Sequence, residues 1–228
     1  ALVGGDPRMG GIDFQHTLIH ELLHGKSHVR YQRVPSGSPD TFQEEELGVA
    51  RRNQNGELRF MGFNEAITEA LTKRTMLGIR DRKDYEVRDD LQKLAEQVAT
   101  SRKKVSESKN RPGDVEPDDI YGCVEDGGKI ITQSFTKGDE RNILRFLVKE
   151  IYRTKTSGHA SPDAVFDEFA SAMVNGSTKQ IEGLINQTFG AGAWEVVGDD
   201  SVTAGERLVS LESRLRRIGE GLPPEPER

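Results

Sequence analysis

His20-Glu21-Leu22-Leu23-His24 puts two metal-ligating side chains and one proton acceptor into five residues. On a helix, residues four apart lie one turn above each other on the same face. Both imidazoles can therefore meet one small ion. Glu21 projects about 100° around the axis from His20, beside such an ion rather than onto it. A carboxylate there can hold a water and take its proton.

The chain has five histidines, His16, His20, His24, His28 and His159, and the first four fall within thirteen residues. A lone histidine is more often structural, and short patterns of this kind arise by chance. Here a helical segment, an apolar flank and a downstream acidic motif agree, so zinc is the expected cofactor. Two histidines leave such a site short, because catalytic zinc usually has three protein ligands and a water. Glu65 is the best third candidate. It lies in Gly62-Phe63-Asn64-Glu65-Ala66-Ile67-Thr68-Glu69, where Glu65 and Glu69 are four apart and share a helix face. One acid can bind metal while the other supports a ligand. Ala66, Ile67, Ala70 and Leu71 supply the apolar flank.

HELLH followed by NEAITEA resembles the gluzincin metallopeptidases, especially the thermolysin-like pairing of HExxH with NExxSD. The resemblance covers about residues 12–30 and 60–77. It implies that His20, His24 and Glu65 are zinc ligands, that Glu21 is the general base, and that Glu69 is the outer acid hydrogen-bonded to His20. It implies hydrolysis of peptide bonds in a peptide or protein substrate, with zinc polarising a water and Glu21 accepting its proton. Three features depart from the family pattern. Glu69 stands where the family has aspartate, Thr68 replaces serine, and the forty residues between His24 and Glu65 make a longer interval than in thermolysin relatives.

Other ligands weigh less. His28 is one further turn along, but Gly25 interrupts that alignment. Glu44, Glu45 and Glu46 could reach the metal from a helix. His16 can line the cleft or pack beside His20. The metzincin pattern fails at Ser27 and Arg30, where it needs glycine and histidine. His159, in Ser157-Gly158-His159-Ala160, is a candidate oxyanion stabiliser, and its bland reading is a loop residue before a helix cap. Tyr85, Tyr121 and Tyr152 are not ranked by any local motif.

Periodicity predicts the elements that must hold these residues. A first helix runs from about residue 12 to His24, with Leu18, Ile19, Leu22 and Leu23 as its apolar arc and Gly25 at its end. Residues 34–41 read as a loop, and 46–60 as a β-hairpin turning at Asn55-Gly56. A second helix covers about 63–77. Further helices are expected over about 86–105, 139–154, 161–173 with Pro162 at the first helical position, 178–189, and from Thr203 to about 218 with Glu206 completing a capping box. Residues 129–135 read as a strand. The fold class is α+β and predominantly helical, with zincin-like helices, an intervening β-hairpin and a helical C-terminal region. Residues 1–105 are expected to form the metal-binding core, 106–120 a linker or surface loop, 121–219 a mostly helical region packing on the core, and 220–228 a disordered tail.

The 228 residues are 34% hydrophobic and 31% charged, with a formal net charge of -6. That balance argues against broad nucleic-acid binding. Cys123 is the only cysteine, so no intrachain disulfide demands an oxidising compartment. No apolar run approaches the roughly 20 residues that cross a bilayer, and no signal peptide is visible. A chain beginning at Ala1 reads as soluble, and as a processed product or an excised domain. Two alternatives stand beside peptide hydrolysis. One is a noncatalytic zinc-stabilised binding domain, and the other a zinc-dependent amidase acting on a small substrate.

Overall fold

The structure, a computed structural model, describes residues 10–33, 42–53, 55–79, 96, 99–101, 103, 120–126, 129–134, 138–154, 158–199 and 204–224. Its elements, in order, are α1 (Gly10–His24), β1 (Val29–Arg33), β2 (Phe42–Leu47), β3 (Ala50–Arg52), β4 (Leu58–Arg59), α2 (Met61–Ile79), β5 (Ile120–Asp126), β6 (Lys129–Ser134), α3 (Gly138–Arg153), α4 (Pro162–Asn175), α5 (Thr178–Phe189), α6 (Ala193–Val197) and α7 (Ala204–Gly219). The class is α+β and mostly helical, with one four-stranded antiparallel sheet in the order β1-β2-β3-β4 and a separate β5-β6 hairpin. Among the described residues no helix is long and apolar enough to cross a membrane.

Two compact units divide the chain, 1–23 with 69–136 and 24–68 with 137–228. Their boundary passes through two continuous helices, between Leu23 and His24 in α1 and between Thr68 and Glu69 in α2.

In the second unit the sheet extends further than the single hairpin expected over 46–60. β3 and β4 turn through Asn55-Gly56, where Asn53 Oδ1 accepts from the backbone of Asn55 and Glu57. β2 and β3 turn through Gly48-Val49. Glu44–Glu46 lie on β2, not on a helix as their ligand role required. The reason is cross-strand charge. Between Arg30 and Tyr31 the β1-β2 register slips, and Arg30 grips the irregular stretch through Glu45 at 3.0 Å and Glu46 at 2.8 Å. Opposite charges across strands stabilise pairing that an acidic run would otherwise weaken.

The core of this unit gathers on Phe60, Phe63, Phe169 and Trp194, all buried. Phe60 stacks on Trp194 at 4.1 Å, and Phe63 meets Phe169 edge-on at 5.6 Å. The Phe60 backbone sits at φ 66°, an outlier for a bulky residue. Its complete burial and ring stack offset that conformation. Arg51 covers the stack, 5.3 Å above Phe60 and 5.7 Å above Trp194, and is held there by Glu195 at 2.6 Å.

The later helices follow their local signals. Ser161 caps α4 by accepting from Ala164 N at 3.1 Å, Pro162 occupies the first turn, and Gly176 closes the helix at φ 74°. Of the tail expected to be disordered, residues 220–224 turn back on α7, with Leu222 N donating to Arg217 O at 2.8 Å and Arg217 Nε to Pro223 O at 3.1 Å. The helix expected over 86–105 is helical at 96, 99–101 and 103, and the rest of it lies outside the described residues. So do 1–9, the boundary segment 106–119, the Thr203 cap and 225–228.

Candidate metal centre

α1 carries His16, His20 and His24 as a stripe one turn apart, and α2 carries Glu65 and Glu69 in the same spacing. His16 is buried and His20 and His24 are half-buried, as are Ile19 and Leu23 of the aliphatic arc, whereas Leu18 and Leu22 are 45% and 58% exposed and Phe14 is 64% exposed. The histidine stripe is held by polar partners.

In the first unit those partners converge on Glu69, whose side chain is fully buried. His20 Nδ1 lies 2.9 Å from Glu69 Oε2. His16 Nε2 lies 3.0 Å from Oε1 and 3.2 Å from Oε2. A carboxylate only accepts, so each ring nitrogen facing it is the N–H donor. That fixes the His20 tautomer and leaves Nε2 as its lone-pair nitrogen.

In the second unit His24 Nε2 lies 3.2 Å from Glu65 Oε1, with each side chain 22% exposed. α1 ends immediately afterwards, with Ser27 N donating to His24 O at 3.0 Å. α2 is anchored one residue before Glu65. Asn64 is buried, its N donates to Phe60 O at 2.8 Å, and its Oδ1 accepts from Val49 N at 3.1 Å. Thr68, a turn later, donates to Asn64 O at 3.0 Å. Thus both residues flanking the acid in the motif serve backbone and packing.

Among the described residues, two groups have donor atoms close enough for a metal. They are His16, His20 and Glu69, and His20, His24 and Glu65, each with ligand atoms within 4.8 Å of one another. The second fits zinc better. Its donors are two imidazoles and a carboxylate, the ordinary nitrogen and oxygen set for that ion. Zinc bond lengths of about 2.0–2.1 Å at tetrahedral angles put neighbouring ligand atoms about 3.3–3.4 Å apart, near the His24–Glu65 separation. In the first group the facing atoms are already joined as donors and acceptors at hydrogen-bond distance.

The structure therefore pairs His20 with Glu69 in one unit and His24 with Glu65 in the other. Glu21 is exposed on α1. His28 lies past the end of α1, against Gly176, with Nε2 3.5 Å from Glu46 Oε2. His159 stands before α4 with Nε2 3.5 Å from Glu168 Oε1 on that helix, so its observed contact is to α4. The part of His16 as a second donor to Glu69 is new. Its only sequence signal was its place one turn before His20 on a stripe of histidines.

Comparison with known proteins found no match among family models, curated proteins or solved structures.

Proposed function

We propose that the chain is a zinc-dependent hydrolase of peptide bonds, with His20, His24 and Glu65 as the metal ligands and Glu21 as the general base. The observation that supports this reading is that the second histidine of the motif faces Glu65 at 3.2 Å, on a helix where Glu21 is exposed. Zinc held there would supply a Lewis acid that lowers the pKa of a water and offsets charge developing on a carbonyl oxygen. Glu21 follows His20 on α1 and remains open to solvent, where its carboxylate can take a proton from that water and pass it to the leaving amine. Glu69 holds the His20 ring in the tautomer whose Nε2 carries the lone pair that would ligate. A structural zinc site is closed by four protein ligands. Among the described residues the set has three members, beside an exposed base, which favours catalysis over a zinc-stabilised binding module.

The test has two stages. Metal per chain is measured after zinc loading and removal of free ion. A mixed peptide library is then digested by the wild type and by Glu21→Gln, with products read by mass spectrometry. About one zinc per chain and cleavage that depends on Glu21 support the proposal. One zinc without cleavage moves the protein to the binding-module reading, or to an amidase of small substrates. Folded protein that takes up no zinc removes the proposal.

A further inference from the structure

We infer that His16 is a positioning residue for the metal centre: it clamps the Glu69 carboxylate that in turn orients His20. The inference rests on the metal reading above for its purpose, but its geometry lies wholly within one compact unit.

A fully buried carboxylate is costly unless its oxygens are hydrogen-bonded. His20 Nδ1 reaches Oε2 alone, at 2.9 Å. His16 Nε2 bridges both oxygens, at 3.0 and 3.2 Å, from a side chain only 9% exposed. The two rings are one helical turn apart, with centroids 6.0 Å from each other, and the carboxylate accepts from both. Rotation of the carboxylate about its terminal bond would take the His20 imidazole with it. With His16 on its other side, rotation breaks two interactions at once. The direction of the His20 Nε2 lone pair is thereby fixed before any ion arrives.

This arrangement also accounts for the residue type at position 69. Aspartate at this position would be one methylene shorter. Here one acid serves two histidines, and the additional methylene of glutamate lets the carboxylate extend to both. His16 and Glu69 therefore form one device, in which the longer acid and the extra histidine belong together.

The test compares His16→Gln, which keeps an N–H donor, with His16→Leu, which fills the space without one. Two quantities are read. Zinc affinity is measured by chelator competition. The His20 tautomer is read in zinc-free protein from ring-nitrogen chemical shifts. The expected result is a loss of up to about 10-fold in zinc affinity for His16→Leu, at or below the low end of the ~10–100-fold effect of removing a ligand's direct outer partner, with substantial recovery in His16→Gln. In parallel, His20 should change from a single Nδ1–H tautomer to a mixture in His16→Leu. If the leucine variant does not fold, His16→Gln is compared with His16→Asn, whose shorter amide cannot bridge both oxygens, and the same order is expected. Unchanged affinity and tautomer in the donor-less variant, while His20→Ala still abolishes zinc binding, overturns the role of His16 and leaves the metal reading standing. If the wild type binds no zinc, the metal reading falls, and the zinc-free tautomer alone decides: sensitivity to His16 upholds the clamp, and indifference overturns it.

Discussion

Glu65 and Glu69 stand one turn apart on α2, yet Glu65 is 22% exposed beside His24 and Glu69 is fully buried. That difference assigns them different physics. A half-buried carboxylate keeps part of its hydration and can exchange a histidine contact for a metal. A buried carboxylate with two imidazole donors belongs to the folded framework.

Replacing the two acids should therefore separate binding from stability. Glu65→Ala should cost zinc affinity by more than the ~10–100-fold typical of outer-partner losses, because it removes a direct ligand. Its effect on the zinc-free fold should stay below about 1 kcal/mol, as for other exposed ion pairs. Glu69→Ala should destabilise the zinc-free protein by about 1–3 kcal/mol, the cost of leaving a buried donor without an acceptor. Urea unfolding of both variants without metal, beside chelator titrations, checks the pair. Equal stability losses would remove the distinction.

Glu21→Gln should leave zinc affinity near the wild-type value and lower turnover by ~10²–10⁴-fold, the usual contribution of a general base. The amide keeps the size of the side chain and removes its basicity. Any peptide found to be cleaved by the wild type serves as substrate. Turnover within threefold of wild type would take the base role away from Glu21.

The helices carrying the candidate site were legible because each is set by local signals. Gly25 ends α1, Asn55-Gly56 turns the hairpin that leads to α2, and the 3.6-residue spacing aligns the histidines and the acids. The inward face of α1 was not legible. Leu18 and Leu22 are the exposed part of the apolar arc, and Glu69, fifty-three residues from His16, partners that buried histidine. β1 escaped notice for a related reason. Its five residues are all exposed, so no buried face marks Val29–Arg33, and it is held by pairing with β2 and by Arg30 against Glu45 and Glu46. Phe60 at positive φ was equally hidden, since only the Trp194 stack makes that backbone tolerable.

Ser161→Ala should cost about 1 kcal/mol, within the 0.5–2 kcal/mol range for N-cap loss. The Ser161 hydroxyl accepts from Ala164 N, and alanine cannot. Because α4 carries the buried Val165, Phe169 and Met173, the loss should appear in the thermal unfolding of the protein and not only as local fraying. Ser161→Asp, which restores an acceptor, should recover most of it. An unchanged melting temperature in Ser161→Ala would show that the cap contributes nothing to stability.

Gly48→Ala should be more damaging than either its exposure or its size suggests. Gly48 adopts φ 59°, and a Cβ there would meet Asn64 Oδ1 at 2.1 Å and Met173 Cγ at 3.0 Å. The left-handed backbone alone costs an alanine roughly 1–2 kcal/mol. The contact with Asn64 adds to this, because Asn64 Oδ1 is the acceptor for Val49 N and cannot retreat without leaving that buried donor unpaired. A total loss of about 2–5 kcal/mol is expected from those two costs. Asn64 immediately precedes Glu65, so a shift of its side chain should disturb the first turn of α2 as well. Zinc affinity should fall together with stability in this variant, although Gly48 is not a ligand. Stability lost with zinc affinity retained would mean that Asn64 anchors the β2-β3 turn without setting the position of Glu65.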